Sequence, residues 1–192
     1  METLPASLVK HFKLYNQLSD EALNALAAIS KQILVKRNTI LQPIGHTCKT
    51  IYFIESGAAR IFYFKEDVDI TEYFAFENDI LVRVESLFKN QPSRKAIEII
   101  EDAKIIAIDA TQLFKLYDVY ADIERLFRKI FEESHVQTIN RLENLQFHSA
   151  KERYLSLLAD NPNISQRVPL KFIASYLGIT QVSLSRIRAS KI

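Results

Sequence analysis

Hydrophobic and polar residues follow three successive rhythms along this chain of 192 residues. Residues 4–30 are helical in pattern. Leu18 precedes Ser19, a residue suited to an N-cap, and Ala22, Leu23, Leu26, Ala27 and Ile29 continue one apolar side. Residues 31–110 change to short β-type runs rich in Ile, Val, Tyr and Phe: KQILV, TIL, TIYFIES, AARIFYF, DITEYFAF, KAIEIIE and AKIIAI. Turn signals at Pro43-Ile44-Gly45, Glu55-Ser56-Gly57, Lys65-Glu66-Asp67 and Glu101-Asp102 separate them. Many short strands at even spacing predict an antiparallel barrel, sandwich or jelly roll, and the β-branched and aromatic density excludes a helical repeat.

Residues 110–148 return to a helical rhythm without Gly or Pro. A short helix is expected over Thr111 to Tyr117, and a longer one opens at Asp118 or Ala121. Its apolar face carries Ile123, Leu126, Phe127, Ile130 and Phe131, and Val136, Ile139, Leu142 and Leu145 prolong it. One small domain does not cover so much apolar surface. The helix therefore reads as a dimer seam, with Ile123, Phe127 and Ile130 in the interface; the alternative is packing wholly on its own barrel. The three-residue spacing drifts around the helix, so no regular coiled coil is implied. KERYLSLLAD forms a further helix, stopped by Asn161-Pro162-Asn163, and Ile164 to Pro169 reads as an extended connector.

The segment 170–189, LKFIASYLGITQVSLSRIRA, reads as two short helices hinged at Gly178. Ile173, Ala174 and Leu177 share a face of the first. Thr180 suits the N-cap of the second, which turns Leu184 and Ile187 inward. A turn between close helices favours a residue that tolerates positive φ. Two helices joined in this way make a helix-turn-helix, whose second helix enters the DNA major groove; the alternative is an αα-corner in an unrelated core. On the first reading Thr180, at the helix start, meets phosphate. Gln181, Val182, Ser183, Ser185, Arg186 and Arg188 make up the rest of the DNA-binding set.

Charge agrees with this. The chain is +2 overall, yet residues 163–192 hold Arg167, Lys171, Arg186, Arg188 and Lys191 with no Asp or Glu, which leaves the preceding part at −3. A basic end on a mildly acidic body suits a phosphate footprint. No run of 18 apolar residues marks a membrane span, and no signal peptide is seen, so a cytoplasmic protein is expected. Cys48 is the one cysteine, and His11, His46, His135 and His148 are scattered, so neither a disulfide nor a metal site is expected. His46 and Cys48 could face one way on a strand, but two ligands do not close a zinc site. No nucleophile elbow, P-loop or His/Asp/Ser grouping is present, so no enzyme is expected.

Three segments carry a resemblance: PIGHTCKTIYFIESGAARIFYF, SLFKNQPSRKAIEI and RVPLKFIASYLGITQVSLSRIR. Together they resemble the Crp/Fnr family of bacterial transcription regulators, and IASYLGIT followed by LSRIR resembles the subgroup common in Bacteroidetes. The resemblance implies an α+β fold: an N-terminal antiparallel β-roll, jelly-roll-like, then a long dimerisation helix and a C-terminal helix-turn-helix domain. The boundaries expected are 1–118 for the cyclic-nucleotide-binding-like sensor, 119–148 for the dimerisation helix and 149–192 for the DNA-binding domain. Partners implied are a double-stranded DNA operator, a second copy of the chain, RNA polymerase and an unknown small-molecule effector.

In nucleotide-binding members a cassette of Gly-Glu followed by Arg-Ser/Thr-Ala holds the cyclic phosphate and the ribose. Aligned on Leu87-Phe88, this chain puts Arg94 and Ala96 on the Arg and Ala, but Lys95 replaces the Ser/Thr. Arg83 stands at the glycine and Val84 at the glutamate, with Glu85 one residue on. The cassette is degraded, and Arg83, Glu85, Arg94 and Lys95 are the effector-site candidates. No cofactor is expected and tight cyclic-nucleotide binding is not, although a one-residue bulge could bring Glu85 into the glutamate's role. The alternative reading of Arg94 is a structural arginine tying a loop. The alternative for the whole chain is a β-roll signalling module whose helical tail binds protein and not DNA. A cupin-type enzyme would need clustered His and Glu in the β region, where only His46 lies.

Overall fold

The computed structural model describes residues 3–190. Two four-stranded antiparallel sheets form the roll. The first runs β1 (Ser30–Val35), β8 (Ala103–Asp109), β3 (Thr50–Ser56) and β6 (Ile80–Leu81). The second runs β2 (Ile40–Gln42), β7 (Ala96–Ile99), β4 (Ala59–Lys65) and β5 (Val68–Ala75). Ile54, Ile61, Leu81, Ile97, Ile99 and Ile105 lead the side chains that fill the space between them.

The outer face of the first sheet is covered as well. Ile51, Phe53, Ile106 and Ile108 pack against α1 (Ala6–Tyr15), α2 (Asp20–Ala28), α4 (Ala110–Tyr117) and the first part of α5 (Ala121–Phe147). A strand buried on both faces needs no alternation, which is why Ile51 to Ile54 reads as an unbroken apolar run. The two-residue loop between β4 and β5, Glu66 and Asp67, has positive φ at both positions (49° and 62°), as a tight hairpin requires. Between β3 and β4 the chain turns at Gly57 (φ +94°), where a Cβ would lie 2.5 Å from the Asp102 carbonyl oxygen. Only glycine fits there. Ser19 caps α2 by accepting the Ala22 N–H at 3.3 Å, and Asp109 caps α4 through Gln112 at 2.9 Å.

Two expectations are corrected. Ile123, Phe127 and Ile130 do not lie on an open seam: the first two are fully buried and Ile130 is 5% exposed, all within this chain's own core. Their side of α5 faces α1 and α4, and the Phe12 and Phe127 rings meet edge-on at 5.9 Å. The apolar surface that stays open lies further along, at Val136, Ile139, Leu142 and Leu145. The segment 164–169 is not wholly extended either. It forms a single turn, α7 (Ile164–Arg167), because Ile164 is buried under α6 (Ala150–Asp160) and pulls the chain inward. Among the described residues no helix is long and apolar enough to cross a membrane.

The turn before β6 holds one titratable group at an unusual value. Asp79 accepts the Phe76 N–H at 2.8 Å, but burial, with Glu77 close by, pushes its pKa up to about 6. The folded state then binds this proton more tightly than the unfolded chain, so the contribution of Asp79 is greatest at pH 4 and falls as pH rises to about 6. Asp79→Asn keeps the acceptor and removes the titration. In paired urea denaturations the stability of the native protein should fall relative to Asp79→Asn between pH 4 and 6, then run parallel. A constant difference across that window would place Asp79 in a solvated setting.

Candidate nucleic-acid interface

The C-terminal helices are built from local signals that agree with one another. Pro169 stands at the start of α8 (Leu170–Tyr176), where its missing N–H costs nothing. At the other end the Gly178 N–H donates to Ser175 O and the Ile179 N–H to Ala174 O, both at 3.0 Å. This double bond pattern around a residue at φ +69° is the Schellman arrangement that glycine favours. Thr180 then caps α9 (Gln181–Ala189), its Oγ1 accepting the Ser183 N–H at 3.1 Å.

Leu184 is buried and Ile187 half-buried against α8, so the opposite side of α9 faces outward. Thr180, Gln181, Val182, Ser185, Arg186 and Arg188 are all exposed along it. Ser183 is half-buried, with its backbone N–H engaged in the cap. The helix-turn-helix thus presents one polar and cationic face with no acidic residue in it.

Two arginines hold the turn from behind. Arg153 of α6 donates to the Leu177 carbonyl through Nε (3.2 Å) and Nη2 (2.9 Å). Arg141 of α5 donates to the Tyr176 carbonyl and lies 3.5 Å above the Tyr176 ring. Both meet the carbonyl end of α8, where the helix dipole favours a cation. Burial lowers the Arg141 pKa and raises that of Tyr176.

The same unit is seated on the second sheet. Ser175 Oγ accepts the Thr71 N–H (2.8 Å) and donates to Asp69 O (2.9 Å), covering the open edge of β5. Phe172 stacks on the buried Arg60 guanidinium at 3.6 Å. Arg167 reaches Glu77 at 2.7 Å, Glu101 at 2.6 Å and the Gly57 carbonyl at 3.2 Å. Its hydrogen bond holds the Glu77 carboxyl below the usual range, and the two glutamates push Arg167 up. Arg167 therefore leaves the basic footprint that charge alone assigned to it, and Lys191 lies outside the described residues.

Sequence reasoning missed Arg60, Arg141, Arg153 and Arg167 as holding groups. Only Arg60 carried a signal, being a charge set within the apolar run AARIFYF.

The four effector-site candidates are brought together only in part. Arg83, 8% exposed, precedes α3 (Val84–Lys89) with Nη1 3.5 Å from Glu72 Oε2, and Lys95 Nζ lies 2.7 Å from Glu72 Oε1. Arg94 and Glu85 are exposed, and Glu85 pairs with Lys89 at 3.2 Å, which lowers its pKa. His46 is exposed whereas Cys48 is buried, so the two do not face a common site. No group of three or more candidate metal ligands occurs among the described residues.

This layout of roll, long helix and docked helix-turn-helix is shared with solved structures. One is a Crp/Fnr-family protein from Eubacterium rectale, with 19% identity, TM-score 0.72, and coverage of 93% of this chain and 85% of that one. The fold is that of the Crp/Fnr regulators. FixK2 from Bradyrhizobium japonicum matches at TM-score 0.73 with 16% identity, over 84% of this chain and 83% of its own. The c-di-GMP-responsive global regulator CLP from Xanthomonas campestris matches at TM-score 0.70 with 14% identity, over 88% and 89%. No protein-family model matches the sequence, and neither does any curated protein. In the Crp/Fnr fold seen here, each named residue of α9 owes its position to the Gly178 turn.

A Cβ on Gly178 would meet nothing within 4 Å, so Gly178→Ala tests backbone strain alone. It should cost about 1–2 kcal/mol in urea denaturation, the penalty of the left-handed conformation for a residue with a side chain. An unchanged midpoint would show that the turn relaxes to negative φ.

Proposed function

We propose that the protein is a sequence-specific DNA-binding transcription regulator of Crp/Fnr type. The observation that carries this reading is the outward face of α9, where Gln181, Val182, Ser185, Arg186 and Arg188 are exposed together on a capped helix held from behind. The exposed amides at the Thr180 end favour a phosphate, and Arg186 matches the O6/N7 edge of guanine. On this reading residues 1–118 form the sensor, 119–148 the dimerisation helix and 149–192 the DNA-binding domain.

The second copy docks on the open side of α5. A step of 100° per residue brings His135, Ile139 and Leu142 to one side of that helix, with Phe131 at its border, where the Phe131 ring meets that of buried Phe127 at 6.4 Å. Phe88 of α3 extends this surface, its ring 5.2 Å from that of Phe131. A dimer suits a palindromic operator, because each protomer then reads one half-site. The effector site departs from the nucleotide-binding cassette, since Arg83 stands where a close backbone approach needs glycine and Val84 offers no acceptor to a ribose.

Two measurements test this. Arg186→Ala should weaken operator binding by about 1–3 kcal/mol and relax preference at one base position, read by gel shift over operator variants. Equal loss on specific and random DNA would put Arg186 on the backbone instead. Leu142→Asp should give monomers by light scattering with an unchanged fold, since Leu142 is half exposed in the single chain. Persistent dimers would move the interface elsewhere.

A further inference from the structure

One imidazole stands in the middle of the open side of α5. At about 100° per residue, Phe131 and Leu142 fall about 40° and 20° to one side of His135, and Ile139 falls about 40° to the other. His135 is exposed in the single chain, as are Ile139 (41%) and Leu142 (50%). An apolar residue here would continue the stripe. A polar one in a helix seam costs stability and fixes the register of the two helices.

The roll holds the first part of α5 and the helix-turn-helix meets its second part, where Arg141 donates to the Tyr176 carbonyl. Two chains that read one duplex therefore carry their α5 helices side by side in the same direction. A two-fold axis along that pair brings equal residues face to face. His135 then meets the partner's His135 at the axis. The groove beside it is lined by Phe88 of α3, Tyr117 of α4, and Glu124, Arg128, Phe131 and Glu132 of α5. Arg128 is paired with Glu132 at 2.6 Å and with Glu124 at 3.7 Å, so both carboxylates already have a cation. Burial raises the Tyr117 pKa, and its hydroxyl stays uncharged.

We infer that His135 pairs with the partner's His135 in the α5 seam and makes dimerisation depend on pH. This pairing rests on the dimer proposed above. Imidazole is the side chain whose ordinary charge change falls between pH 5 and 8. Two neutral rings share a hydrogen bond, the N–H of one donating to the bare nitrogen of the other. Two imidazolium ions at the same contact repel, and each has lost its acceptor. The paired chains thus bind fewer protons than the separate ones, so lowering the pH shifts the equilibrium toward monomers. Operator affinity, which draws on both half-sites, falls with the dimer.

Light scattering on a dilution series of the full chain, at pH 7.5 and at pH 5.5, gives the dimer dissociation constant without DNA. For the native protein the constant should rise at least about tenfold on acidification, the effect of one proton taken up over one pH unit. His135→Leu, which continues the apolar stripe, should dimerise more tightly and equally well at both values. Ionisable groups elsewhere are common to both proteins and cancel in the comparison. A native constant that ignores pH, or an equal rise in His135→Leu, would overturn the pairing. Should His135→Leu aggregate, His135→Gln keeps a polar group without the charge, and a pH dependence that survives in it would count against the pairing as well. Leu142→Asp separates this inference from the reading it rests on. If Leu142→Asp is monomeric while the native dimer ignores pH, the seam stands and only the His135 pairing falls. If Leu142→Asp remains dimeric, the seam lies elsewhere and the pairing falls with it.

Discussion

The arrangement of the two halves depends on one buried cation. Arg60, on β4, is 3% exposed and lies where the second sheet meets α8. Its guanidinium pairs with Asp69 at 2.5 and 2.7 Å and with Glu98 at 2.6 Å, and it donates to Thr71 Oγ1 at 3.0 Å. Phe62 lies on it at 4.1 Å and Phe172 at 3.6 Å. A buried charge is tolerated only when paired and hydrogen-bonded, and deleting one partner of such a pair costs about 3–5 kcal/mol. A planar guanidinium meets two carboxylates in its plane and two rings on its faces, which a lysine cannot do. Phe172 belongs to the helix-turn-helix, so that unit forms part of the shell that makes Arg60 acceptable.

From that contact the position of α9 follows in steps. Phe172 and Ser175 index α8 to strand β5, Arg167 ties the preceding turn to Glu77 and Glu101, and Arg141 and Arg153 hold the last carbonyls of α8. The Gly178 turn then sets α9 against α8. Six arginines divide accordingly into two groups. Arg60, Arg141, Arg153 and Arg167 hold the chain together, while Arg186 and Arg188 are left on the outward face. The β4–β5 hairpin is the common element: it supplies Arg60 and the covered edge.

Local chemistry made much of this readable from the sequence. Seven of the strand runs, the Ser19 and Thr180 caps and the Gly178 turn follow from residue type at short range, and the structure places them as expected. β6 escaped because two residues show no periodicity. The side of α5 that is covered also escaped. Ile123, Phe127 and Ile130 are as apolar as any seam residue, and only the placement of α1 and α4 decides that they face inward. The exposed face of α9 was legible because helical spacing separates it from Leu184 and Ile187. Arg167 was misread because its charge counts toward a basic tail whatever it touches, and its partners lie 66 and 90 positions away in the chain.

The central claim is that α9 binds DNA, and the salt dependence of binding to genomic fragments tests it most directly. With one phosphate neutralised by Arg188 in each protomer of a dimer, log K should fall against log salt with a slope of about −2 or steeper, and a specific fragment should outcompete random DNA throughout. A slope near zero, or a shift that keeps its slope when Arg188 is replaced by alanine, would contradict the account and leave this face to a protein partner.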